Sequence, residues 1–119
     1  ELASLPGKYA EPQGQILIAW SEKGEPAGVV ALRPLDDDGV CELKRLYLRD
    51  EYRGQGVGRK LTEDIIAAAE KAGYATIRLD TEQRLQTAID MYRKFGFEEI
   101  GQYYDNPLEK ILYMEKQLN

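Results

Sequence analysis

Between Leu46 and Leu61 the hydrophobic pattern changes its period, and no other feature of the chain constrains the fold as much. Residues Val40 to Leu48 (VCELKRLYL) alternate apolar and polar side chains, as a strand with one buried face does. Beyond glycines at 54, 56 and 58 the repeat lengthens to that of an amphipathic helix over Gly56 to Ala72. Val57, Leu61, Ile65, Ala68 or Ala69, and Ala72 fall on one face, with Arg59, Lys60, Glu63, Asp64, Glu70 and Lys71 elsewhere. Gly73 stops the helix, and Tyr74 to Thr81 (YATIRLDT) is strand-like again. A strand–helix–strand succession requires a right-handed crossover, so the segment at 74–81 should lie parallel to the one at 40–48.

The flanking segments make the sheet mixed. Gln15 to Glu22 and Ala27 to Arg33 read as strands joined by the turn Lys23-Gly24-Glu25-Pro26, and Asp36-Asp37-Asp38-Gly39 turns the chain into the strand at Val40. The acidic triplet is a solvated turn in this reading rather than a metal site. Leu85, Ala88, Ile89, Tyr92 and Phe95 mark a second helix ending at Gly96, and Phe97 to Tyr104 and Glu109 to Lys116 read as closing strands around Asn106-Pro107. The first fourteen residues, with two prolines and two glycines, read as an entering loop. The expected class is α+β: a mostly antiparallel mixed sheet with one parallel pair and flanking helices, built as one domain over residues 1–119.

Composition removes much chemistry. Histidine is absent and cysteine occurs once, so Ser-His and Cys-His nucleophilic pairs, zinc frameworks and an internal disulfide cannot be built. Cys41, in an alternating apolar segment, reads as a small core residue, and a reducing cytoplasm suits a lone thiol. Sixteen Lys plus Arg against twenty-one Asp plus Glu leave a net charge of −5, the wrong sign for coating a nucleic-acid backbone. Mean hydropathy is −0.53, and no apolar run is long enough to span a membrane, so neither nucleic acid nor membrane is an expected partner. Any anionic ligand has to be met locally.

The glycine-rich joint is where that can happen. Glycines 54, 56 and 58 remove side chains from a turn that opens a helix, whose unpaired N–H groups and positive dipole end suit an anion, while Arg53, Arg59 and Lys60 add charge. A flexible turn with solvated arginines is the alternative. A P-loop fails, because counting from Gly54 puts Arg59 where the second glycine belongs. A dinucleotide fingerprint fails at Arg59 and Leu61, although Asp80 lies at a suitable distance to imitate the ribose-binding acid. It also expects repeated strand–helix units, whereas here three strands joined by tight turns come first.

What the string Arg53-Gly54-Gln55-Gly56-Val57-Gly58 resembles, together with Ala88-Ile-Asp-Met-Tyr92-Arg-Lys-Phe95-Gly-Phe97 downstream, is the GNAT superfamily of acyl-CoA-dependent N-acetyltransferases. The resemblance covers about residues 15 to 117 in the family's element order. It implies that the parallel strands splay apart and that the backbone from Arg53 through Gly54, Gln55, Gly56, Val57, Gly58 and Arg59 to Lys60 cradles the pyrophosphate of CoA. It implies further that the main chain of Leu46, Tyr47 and Leu48 pairs with the pantetheine arm of acetyl-CoA, and that no metal takes part. The implied reaction is direct attack of a primary amine, on a small molecule or a peptide, upon the acetyl thioester.

Two protons must then be handled. By resemblance Tyr92 donates to the CoA sulfur; by spacing alone it is a core aromatic. Glu42, fourteen residues before Gly56, matches a base found in some relatives, and is otherwise a glutamate on a solvated strand face paired with Lys44 or Arg78. Asp80 is the second candidate. Tyr103, Tyr104 and Asp105 could contact a cationic amine or simply form a polar turn. Domains of this family open with a strand and two helices that wall the acceptor site, and these are not in the chain as it stands. That leaves a non-catalytic acyl-CoA-binding module as the alternative to an enzyme. A homodimer is compatible with the family, though no exposed stripe compels one.

Overall fold

The computed structural model describes residues 14–118, so the entering loop expected over the first fourteen residues lies, but for Gly14, outside the described residues. Six strands and two helices follow: β1 (Gln15–Trp20), β2 (Pro26–Pro34), β3 (Val40–Leu48), α1 (Val57–Lys71), β4 (Thr76–Glu82), α2 (Gln86–Lys94), β5 (Glu98–Ile100) and β6 (Ile111–Gln117). They form one sheet in the order β1-β2-β3-β4-β6-β5. All neighbours are antiparallel except β3 and β4, which run parallel as the crossover through α1 demands.

Helix α1 packs on β1, β2 and β3 through Leu61, Thr62, Ile65, Ile66 and Ala69. Each large apolar side chain it buries contributes about 1.5–3 kcal/mol. Ala72, expected on that face, is the exposed C-cap, because the helix ends in a turn at Gly73 with φ 92°. Thr62 is buried at no polar cost, since its hydroxyl donates to the Gly58 carbonyl at 2.7 Å. Cys41 is fully buried among these core side chains, and burial, followed by the charge of Glu42, pushes its pKa up to about 12.

The expected strand from Phe97 to Tyr104 is a correction. Pairing with β6 covers only Glu98 to Ile100, and residues 101–110 are irregular. The reason lies across the sheet: β5 sits outside β6, yet the hydroxyls of Tyr103 and Tyr104 bond carboxylates on β3 and β4, so the chain must leave the edge and fold back over β6. Both rings pack edge-on against Tyr113 of β6, with centroids 5.5 and 5.8 Å away.

Candidate active site

Strands β3 and β4 pair over three residues, Val40, Cys41 and Glu42 against Thr76, Ile77 and Arg78, although both run well past that point. From Leu43 and Leu79 onward they diverge while each keeps its outer neighbour, β2 for one and β6 for the other. Their facing edges therefore carry backbone N–H and C=O groups that are not spent on each other. A bulge adds to this. Three residues of β2, from Val29 to Ala31, lie against four of β3, from Lys44 to Tyr47, so one residue near Leu46 falls out of the ladder. Gly28 makes room at the end of β3, since a Cβ there would meet Leu48 Cδ2 at 2.7 Å and the Tyr47 carbonyl oxygen at 2.9 Å.

A cavity of about 1010 Å³ opens in this gap. Leu46, Tyr47, Leu48, Arg53, Gly54 and Gly58 line it on one side, and Asp80, Thr81, Glu82, Met91 and Tyr92 on the other. Of the residues expected at the cofactor, Gln55, Gly56, Val57, Arg59 and Lys60 are not in the lining and sit at the rim, where α1 begins. Gln55, Arg59 and Lys60 are exposed there, and Lys60 is paired with Asp64 at 3.0 Å. The three glycines serve different purposes. Gly54 and Gly56 have φ of 77° and 83°, and a Cβ on either would meet nothing within 4 Å, so they supply a left-handed turn facing open space. Gly58 is a packing glycine, whose Cβ would lie 3.1 Å from Leu48 Cδ1.

The start of α1 suits an anion. Gly56 caps it without a side-chain hydrogen bond, the first turn holds no acidic residue, and the bond from Lys60 N–H to the Gly56 carbonyl (3.0 Å) leaves the earlier amides outside the helix's own ladder. Arg53 stands beside them, exposed and paired with Asp50 at 3.0 Å.

Tyr92, from α2, forms part of the opposite wall at 5% exposure, in edge contact with Phe97 at 5.7 Å. It is thus both a core aromatic and a cavity residue. Burial, and then the negative charge of Asp80, pushes its pKa up to about 12, so the phenol stays protonated.

The two carboxylates occupy different surroundings. Glu42, at the last paired position, is 0% exposed: Oε1 accepts from Arg33 Nε at 2.7 Å, and Oε2 accepts from Tyr103 and lies 3.8 Å from Lys44 Nζ. The solvated strand face considered for it is a correction, because Tyr103 folds over it from the loop before β6. Its main partner, Arg33, escaped the sequence reading, yet counting outward from the turn at 36–39 places Arg33 directly opposite Glu42. Arg78 instead pairs with Glu115 at 3.1 Å and Asp37 at 3.4 Å. Asp80, just beyond the divergence, faces the cavity: Oδ1 meets Lys44 Nζ at 3.3 Å and Oδ2 accepts from the Tyr104 hydroxyl. Burial comes first in raising the pKa values of both tyrosines, followed by the carboxylate each one bonds. Lys44, missed as a site residue, stands 5.4 Å from the Tyr104 ring centroid and lines the cavity; only the register of β3 against the gap reveals it.

Known proteins agree with this architecture. The model of the acetyltransferase (GNAT) family matches residues 3–97. An uncharacterized N-acetyltransferase of Schizosaccharomyces pombe is 41% identical over 119 residues, covering 100% of this chain and 73% of its own. The chain spans less of other curated relatives, 32% of one from Dictyostelium discoideum and 43% of the N-acetylaspartate synthetase of Danio rerio. An acetyltransferase structure from Streptococcus agalactiae superposes with a TM-score of 0.80 at 30% identity, over 93% of this chain and 71% of that one. A Bacillus subtilis acetyltransferase solved in complex with CoA shares the fold at a TM-score of 0.76 and 21% identity, over 90% of this chain and 78% of that one. With a diverging parallel pair, a glycine-cornered helix start and a family match over most of its length, the chain belongs to the GNAT family of acetyltransferases.

Proposed function

We propose that the chain transfers an acetyl group from acetyl-CoA to a primary amine by direct attack. One observation carries the reading: the unpaired edges of β3 and β4 and the Tyr92 and Asp80 side chains converge on one cavity, with the start of α1, capped by no side chain, at its rim. In this reading Leu46, Tyr47 and Leu48 bind the pantetheine amides as an added strand would, and the amides between Arg53 and Lys60 hold the pyrophosphate. When bound, acetyl-CoA supplies a carbonyl activated by its thioester. The N–H of Leu46, near the bulge, is the donor assigned to the negative charge that develops on that carbonyl.

Tyr92 faces the departing sulfur. Burial and the negative charge of Asp80 raise its pKa to about 12, so the phenol keeps its proton at neutral pH. Tyr92 therefore acts as a hydrogen-bond donor to the thiolate. For the base we choose Asp80 over Glu42. Both oxygens of each carboxylate are engaged, but Asp80 lines the cavity with its side chain 16% exposed, whereas Glu42 is fully buried beneath Tyr103 and outside the lining. Glu42 then serves to hold Lys44 and Tyr103. A cytoplasmic setting accords with the single thiol, which burial keeps protonated.

Calorimetric titration with CoA and thiol release with a panel of amines test the reading. Tyr92→Phe should slow thiol release about 10- to 100-fold, the equivalent of one hydrogen bond to a charged group, with little change in CoA affinity. Heat of binding without thiol release from any amine would make the chain a non-catalytic acyl-CoA-binding module. No heat with CoA would overturn both.

A further inference from the structure

Lys44 and Asp80 are an opposite-charge pair in which both members line the cavity. They bridge β3 and β4 just beyond the point where the strands stop hydrogen-bonding, and the Nζ to Oδ1 distance of 3.3 Å is long for such a pair. Each keeps support if that bond opens. Lys44 retains Glu42 Oε2 at 3.8 Å and the face of Tyr104, and Asp80 retains the Tyr104 hydroxyl on Oδ2. Opening the pair therefore exposes one held cation and one held anion side by side.

A simple ammonium entering at Asp80 would meet the ammonium of Lys44 within a few ångströms, in a partly desolvated site where that repulsion is strong. A molecule bearing both charges avoids this. Its ammonium replaces Lys44 at Oδ1, its carboxylate takes Lys44, and the net charge of the pair is unchanged. We infer that the acceptor is a free amino acid, with its amine and carboxylate close together, rather than a peptide terminus, a polyamine or a simple amine; this rests on the acetyl-transfer reading above. Leu108 and Ile111 line the same cavity and give an aliphatic side chain an apolar neighbour. In the reaction the ammonium gives one proton to Asp80, its nitrogen bonds the acetyl carbon as the carbon–sulfur bond breaks, and its second proton ends on the sulfur. The products are an N-acetyl amino acid and CoA.

The test compares each of a set of free amino acids with its amide and its decarboxylated amine in the thiol-release assay. The free acids should be preferred about 10- to 100-fold in kcat/KM, and Lys44→Gln should erase the preference while heat with acetyl-CoA shows the fold and cofactor site intact. Calorimetry should likewise detect the free acid, and not the amide, binding to CoA-saturated protein. Equal use of acid, amide and amine, or a preference that survives Lys44→Gln, overturns this inference and leaves acetyl transfer standing. Thiol release from no amine, despite acetyl-CoA binding, fails the acetyl-transfer reading and this inference together.

Discussion

Glu42 and Asp80 are both carboxylates of the parallel pair, both are bonded by a tyrosine of the same loop, and both lie within 4 Å of Lys44, yet one is sealed and the other open. The boundary between them is the last β3–β4 hydrogen-bonding position. On the paired side, strands at ladder spacing leave no room between them, and Glu42 joins Arg33 and Tyr103 in a closed cluster. On the diverging side a cavity of about 1010 Å³ replaces the ladder, and Asp80 faces it. A few residues along one strand pair thus separate a carboxylate locked in a closed cluster from one that faces the cavity.

Exchanging each carboxylate for its amide should break the comparison most sharply. Asp80→Asn should lower kcat/KM about 10²- to 10⁴-fold in the thiol-release assay, the range for loss of a general base, with a melting temperature close to that of the parent. Glu42→Gln should instead cost about 1–3 kcal/mol in denaturant unfolding, because it removes the buried charge that Arg33 and Tyr103 bond, while turnover falls far less. If Glu42→Gln abolished turnover at unchanged stability, the base would be Glu42.

Alkaline pH should act more on stability than on turnover. Cys41, on the sealed side, rises from 9.0 to about 12, and Tyr92, at the cavity, from 10.0 to about 12. A raised folded-state pKa means that the unfolded chain gives up its protons first, so this stabilisation is complete below about pH 9 and is lost as pH climbs to about 12. The loss should be on the order of a few kcal/mol, read from denaturant midpoints at successive pH values. The turnover profile should show no falling limb from Tyr92 below about pH 11 in protein that remains folded.

The smallest effect in free energy is the most selective. Gly56 at the rim and Gly24 in the β1–β2 turn have φ of 83° and 81° and open space where a Cβ would go. Alanine at either should cost about 1–2 kcal/mol of stability through the same backbone strain. Gly56→Ala alone should also weaken CoA binding in calorimetry, and equal CoA affinity in the two variants would detach the glycine turn from the cofactor.

Much of the fold was legible because it depends on local period. Alternation at Val40 to Leu48, the helical repeat after Gly56 and the stop at Gly73 require the crossover, and the crossover requires the parallel pair. The stretch FEEIGQYY misled for the same reason: it continues a strand pattern, but its tyrosines are bound to carboxylates two and three strands away. Lys44 was hidden by its position between two acids, since no local count shows that one is buried and the other faces a cavity.

The order of apolar, polar and glycine residues by itself determined the elements, their handed connection and the glycine-cornered turn, because these follow from backbone sterics and burial over a few residues. Tertiary structure alone decided where β3 and β4 part, which carboxylate the loop tyrosines seal and which one Lys44 holds at the cavity. Those outcomes depend on contacts between segments up to 61 positions apart, and on burial that no single segment can specify.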